Sequence, residues 1–212
     1  MADILLDEQS TPATPASGQC LIYPDNVNSL LAYKNDAGRV FSVGSAIRNW
    51  SVGAQATGAG TDTYLTGSAL AVPQHFLQVG TTCRWRVVLT KSAAGTASPS
   101  WIVRVGTGGV VGDTARITFT QVALQTAAAD TAWVEIEAVV RTIGAAGVMA
   151  GGLRMSHVLA ATGFSTLDHN VMQVTSAGFD MTVGNLIVGL SANPGASGVW
   201  TFQIVSAEML NI

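Results

Sequence analysis

From Ala69 to the end of the chain, apolar and polar residues alternate with a period of two, the signature of half-buried strands. In "CRWRVVLT", Cys83, Trp85, Val87 and Leu89 fall on one face and Arg84 and Arg86 on the other. "WIVRV" sets Trp101, Val103 and Val105 together, and "ARITFT" sets Ala115, Ile117 and Phe119 inward with Arg116 and Thr118 outward. "WVEIEAVVR" places Val134, Ile136, Ala138 and Val140 opposite Glu135, Glu137 and Arg141. "SALAVPQHF" opens the series and "MAGGLRMSHVLA" and "NLIVGL" continue it. "VWTFQIVSAEML" closes it with Trp200, Phe202 and Ile204 on one face. Little repeats at 3.6 residues, and "ALQTAAAD", Ala123 to Asp130, predicts a helical turn at most. Strands with one apolar face pack as two antiparallel sheets or close into a barrel. A parallel α/β sheet would show solid apolar runs instead. The pattern therefore predicts an all-β fold, an antiparallel jelly-roll-like β-sandwich.

Ahead of this series the pattern changes. "VGAQATGAGTDTYLTGS" reads as a linker or long loop. A boundary near residue 60 follows, with an attachment unit over 1–60 and the sandwich over 61–212. Residues 20–44 hold three short strand candidates, "CLIY", "SLLAYK" and "RVFSV", separated by "PDNVN" and "NDAG". Turns at such short intervals favour a small antiparallel β-hairpin unit. Residues 1–19 read as an extended arm, with an apolar plug of Ile4, Leu5 and Leu6 followed by the proline-rich "STPATPASG".

The run Pro15-Ala16-Ser17-Gly18, then Tyr23, Leu30-Leu31-Ala32-Tyr33-Lys34 and Asp36-Ala37-Gly38, resembles the start of many bacteriophage structural proteins. In that family a Pro/Ala-rich arm runs into a short hairpin, and its members include tail-fibre, head-fibre and capsid-decoration proteins. Ala32, between Leu31 and Tyr33, is a departure from the family pattern. The resemblance covers roughly the first fifth of the chain. It implies a virion protein made in the bacterial cytoplasm. Its attachment arm would use Ile4, Leu5, Leu6, Pro12, Pro15 and Tyr23 to hold the major capsid protein or another virion protein. It also implies a homo-oligomer, with a trimer favoured.

Composition narrows the partners. Only 11% of the 212 residues are charged, against about 25% in an ordinary domain. Mean hydropathy is +0.38. No uncharged apolar run reaches the ~18 residues of a spanning helix. The apolar surplus is expected at subunit contacts rather than in a membrane. The net charge is −3 and the ten Lys and Arg are scattered, so no nucleic-acid partner is expected. The N-terminus has the composition of no signal peptide, and Cys20 and Cys83 are expected as reduced thiols.

No catalytic constellation emerges, and no cofactor or metal is implied. "VGTGGVVGDTA" has Val111 where a dinucleotide fingerprint needs its third glycine, and reads as a loop between strands. His75, His157 and His169 lack the paired spacing of zinc ligands. Glu135 and Glu137 share a strand face, where outward acids are expected to pair with Arg84, Arg86, Arg104 or Arg116. Trp85, Trp101 and Trp200 share the parity of core residues, whereas Trp133 and Trp50 are candidate interface aromatics.

A non-enzymatic capsid decoration (cement) protein is the first expectation. The alternatives are a tail- or head-fibre component that binds a host glycan, and an unrelated sugar-binding jelly roll. A decoration protein would show weakly charged, apolar surfaces. A glycan binder would gather exposed aromatics and acids in one groove.

Overall fold

The computed structural model describes residues 10–25, 30–35, 40–42, 47–72, 76–121, 124–167 and 169–210, and every helix-or-strand element among them is a strand. Ile4, Leu5 and Leu6 lie outside the described residues. Two units divide the chain, 1–46 and 47–212.

In the first unit, β1 (Cys20–Asp25), β2 (Leu30–Asn35) and β3 (Val40–Ser42) form one antiparallel sheet in that order. Tyr23 stands opposite Ala32, and both are buried. The small residue at position 32 thus faces a large ring across the strand pair, a size match that a bulky residue there would spoil. The proline-rich segment is not extended throughout. Gln19 N–H donates to the Ala16 carbonyl at 2.9 Å across a turn, and the Lys34 ammonium donates to the Pro12 carbonyl at 2.7 Å. Pro12 and Pro15 are half-buried, and Tyr23 belongs to the strand rather than to the arm.

The second unit begins with β4 (Ile47–Ser51), β5 (Gln55–Ala56), β6 (Thr63–Tyr64) and β7 (Leu70–Val72). The long strands follow: β8 (Thr82–Lys91), β9 (Ser100–Gly106), β10 (Thr114–Thr120) and β11 (Asp130–Thr142). The series ends with β12 (Val148–His157), β13 (His169–Thr175), β14 (Leu186–Asn193) and β15 (Trp200–Leu210). A seven-stranded sheet has the order β13-β12-β11-β8-β15-β4, with β5 also on β15. A five-stranded sheet has the order β10-β9-β14-β6, with β7 also on β14. All pairings are antiparallel. The first long strand lies beside the last and the second beside the penultimate, in opposite sheets, which is the winding of a jelly roll. One apolar core fills the sandwich, with Trp85, Trp101, Trp200, Phe119, Phe164 and Phe202 fully buried.

Three expectations change. The division falls after residue 46 rather than near 60, because the glycine- and threonine-rich stretch is not a linker: β4 and β5 pair with β15, and β6 pairs with β14. Gly67 permits this. Its φ is +86°, and a Cβ there would strike the backbone of Trp50 and Ser51. Next, Ala115 and Ile204 are exposed rather than inward. A bulge between Ala115 and Ile117 and another between Phe202 and Ile204 reset the parity, so Val205 is buried instead. Finally, no helical turn follows Ala123 among the described residues. Gln125 is buried there, and Asp130 already begins β11. Among the described residues no helix is long and apolar enough to cross a membrane.

Candidate functional site

The outward positions of the seven-stranded sheet line up in rows because its pairings are in register. One row runs Val171, Arg154, Glu135, Arg86, Ser206, Trp50. The next runs Gln173, Gly152, Glu137, Arg84, Glu208, Arg48. On the other side lie Ser156, Trp133, Val88 and Ile204. Each residue is outward because its strand neighbours face the core.

Carboxylates and guanidiniums interlock along these rows. Arg84 donates to Glu137 from Nε at 3.0 Å and from Nη2 at 2.7 Å, and from Nη1 to Glu208 at 3.3 Å. The Glu137 hydrogen bond is the main reason that the Arg84 guanidinium is held above its ordinary pKa. Arg86 Nε lies 3.4 Å from Glu135, and its Nη2 lies 4.0 Å from Glu208. These groups are partly exposed, so each pair contributes about 0–1 kcal/mol. Their consequence is placement: the two glutamates are held to arginines and to the plane of the sheet. Arg104 and Arg116 take other partners. Arg104 pairs with Asp62 on the five-stranded sheet, and Arg116 sits 4.6 Å above the Phe179 ring.

The face is not flat. Gly152 leaves a depression of about 350 Å³ bordered by Arg84, Glu137, Arg154, Val171 and Met172. Beside it, Trp133, Glu135, Arg154 and Ser156 line a second cleft of about 220 Å³. The Trp133 ring is 48% exposed and Trp50 67%. Both point from the same face, about 16 Å apart, three strand spacings of roughly 4.8 Å across and two residues along the strands. Both indoles are thus open to solvent on the face that carries the arginines and glutamates.

Two other regions have different characters. The glycine-rich segment 106–113 joins β9 to β10, and its turn is organised by Asp113, whose carboxylate accepts the N–H groups of Gly108, Gly109 and Val110 at 3.1, 2.7 and 3.2 Å. The loop borders a cleft of about 700 Å³ with Tyr64, Leu65 and Gly67, lined mainly by apolar and small groups. Burial, and then the Asp113 charge, push the Tyr64 phenol up to about 12.

At the opposite end of the sandwich three titratable side chains are buried among the described residues, and none is among the sequence-predicted sites. The Lys91 ammonium shares its three donors among the carbonyls of Ser92, Ala94, Thr126 and Ala128, at 3.2, 2.9, 2.8 and 3.1 Å. Burial lowers its pKa, with the Asp130 charge opposing. Asp130 lies 2.7 Å from His157 Nδ1, whose Nε2 lies 2.8 Å from the Leu167 carbonyl. Both ring nitrogens thus have an oxygen within hydrogen-bond distance. A sequence signal was available: Lys91, Asp130 and His157 all occupy inward parity in their strands.

Among the described residues no group of three or more His, Cys, Asp or Glu is placed to hold a metal. His75 and Asp168 fall outside the described residues. Cys20 is exposed and Cys83 buried, both unpaired, and burial pushes the Cys83 thiol up to about 12.

No family model matches the chain, and no curated protein matches it. Among solved structures, the CBM2 module of the evolved Dit of Lactobacillus casei BL23 phage J-1 is similar at a TM-score of 0.30 and 11% identity. That similarity covers 68% of this chain and 69% of the phage module.

Proposed function

We propose that this chain is a bacteriophage virion structural protein of the tail- or head-fibre kind, whose sandwich binds a carbohydrate surface and whose N-terminal unit carries attachment to the particle. One observation carries the glycan reading: exposed Trp133 shares a cleft with Glu135, Arg154 and Ser156, on the face that also bears Trp50. A sugar ring has an apolar face for an indole and hydroxyls for carboxylate, guanidinium and hydroxyl groups. Aromatics and acids in one groove are the arrangement expected of a glycan binder rather than of a cement protein. The role is binding, without catalysis. Attachment through the N-terminal unit rests on its resemblance to the starts of phage structural proteins.

Retention of the full chain on cell-wall polysaccharides and surface glycans of bacteria tests this reading. Trp133→Ala is expected to weaken retention at least tenfold, about 1.4 kcal/mol. Its melting temperature should stay within a degree or two, because the ring lies outside the core. Equal retention of the wild type and a Trp133→Ala/Trp50→Ala double variant would overturn the reading.

A decoration role is favoured by a different feature. Val52, Val158 and Val171 are each at least three-quarters exposed, apolar surface of a kind that subunit contacts cover. In that reading the chain is a homotrimer that caps the shell. Sedimentation of the full chain at micromolar concentration should then give three times the monomer mass, and a strict monomer removes the trimer.

A further inference from the structure

We propose that the cleft between Trp133 and Arg154 is the primary subsite of the face, and that it takes a pyranose carrying a carboxylate, a hexuronic acid being the simplest case; this rests on the carbohydrate-binding reading. The arginines of the face differ in what they already hold. Arg84 holds Glu137 and Glu208, and Arg86 holds Glu135. Arg154 stands opposite Glu135 in the β11–β12 register, yet Glu135 is turned to Arg86 on the other side. Among the described residues the Arg154 side chain makes no hydrogen bond or ion pair, and the residue is exposed. A guanidinium is a planar fork of donors, matched by a carboxylate through two parallel hydrogen bonds.

The neighbours define the rest of the ligand. Trp133 is diagonal to Arg154 across the strand pair, a separation of roughly 7–8 Å. That distance suits a ring stacked on the indole with a substituent reaching the guanidinium. The cleft's 220 Å³ is on the scale of one sugar ring rather than an oligomer. Ser156 and Glu135 remain to meet ring hydroxyls. A phosphate on an acyclic polyol would satisfy Arg154 but leave the indole without a ring face. The local charge agrees: along the two rows, Arg48, Arg84, Arg86 and Arg154 against Glu135, Glu137 and Glu208 leave one positive charge, in a chain of net charge −3.

The test compares binding of the full chain to polygalacturonate and alginate with binding to the same polymers after their carboxyl groups are reduced to alcohols. The wild type should prefer the uronate forms at least tenfold at 50 mM salt, and the preference should shrink as salt rises. Arg154→Gln should abolish the preference, bringing the uronate forms down to the level of the neutral forms. Arg154→Lys, which keeps the charge but not the fork, should restore only part of it. Both variants should melt like the wild type. Trp133→Ala should lose both classes of polymer. Wild-type binding that ignores the carboxylate, or a preference that survives Arg154→Gln, overturns the subsite assignment alone. If no polymer is bound by the wild type, in uronate or reduced form, the acidic-sugar assignment falls, and the carbohydrate reading falls with it if the wider polysaccharide panel is also unbound.

Discussion

Asp130→Ala is expected to destabilise the sandwich by about 3–5 kcal/mol, because several donors share its buried side chain and each one left without an acceptor costs about 1–3 kcal/mol. Its carboxylate accepts the N–H of Thr131 at 2.8 Å and of Leu159 at 3.2 Å through one oxygen. The other oxygen meets His157 Nδ1 at 2.7 Å and the N–H of Phe164 at 3.2 Å. The Asp130 and His157 side chains have no exposed surface. Truncation leaves an imidazole and three backbone donors short of an acceptor at once. Gly163, at φ +80°, leaves the space the carboxylate needs, since a Cβ there would run into it. Asp130→Asn should lose less, because it keeps the shape and one acceptor oxygen. Denaturant unfolding measures both, and hydrogen exchange should show 158–167 losing protection first. A loss under 1 kcal/mol for Asp130→Ala would mean that this loop is held by other contacts.

Trp200→Ala is expected to cost a similar amount, about 3–5 kcal/mol from the cavity alone. The Trp200 ring lies 5.4 Å from Trp101, 5.4 Å from Phe164 and 6.2 Å from Phe202, between centroids. Its Nε1–H donates to Gln125 Oε1 at 2.9 Å, and Gln125 in turn donates to the carbonyls of Pro194 and Ala97 at 2.7 and 3.0 Å. Removing the indole therefore opens the core and leaves a buried acceptor unpaired, a further 1–3 kcal/mol when no water replaces it. Gln203→Ala, at the bulge and facing solvent, should stay within about 0.5 kcal/mol. Equal losses at both positions would mean that the parity of β15 is misassigned. Calorimetric melting of the two variants decides it.

The core was legible because burial on a pleated strand depends on local alternation. Trp85, Val87 and Leu89 needed only their own segment to be placed, and so did the outward turn of Trp133. The exceptions mark where local reading stops. A bulge inserts one residue without changing composition, so nothing in "ARITFT" or "TFQIVS" announces that Ala115 and Ile204 turn outward. β13 was missed because it is an edge strand: Val171 faces solvent and Met172 and Val174 are only partly buried, so its alternation is blurred. The site was less legible than the core. That Glu135 and Glu137 would meet arginines follows from parity, but the choice of Arg84 and Arg86 depends on β8 lying beside β11, a pairing between residues about fifty positions apart. Trp50 reached the same face as Trp133 only through the pairing of β4 with β15, at opposite ends of the second unit.

Connecting loops are ordinarily where a protein lineage gains and loses residues, because their backbone meets solvent. The loops next to Lys91 do not share that freedom. One ammonium gathers two carbonyls from 92–94 and two from 126–128. A residue added to either segment would swing a carbonyl away and strand a buried cation. Arginine cannot stand in, since its flat fork does not fit acceptors converging on a point. An insertion in either of these two segments is thus expected to cost as much as one in a strand. Variation in length is left to loops such as 107–112, whose turn is held by Asp113 from within the same hairpin.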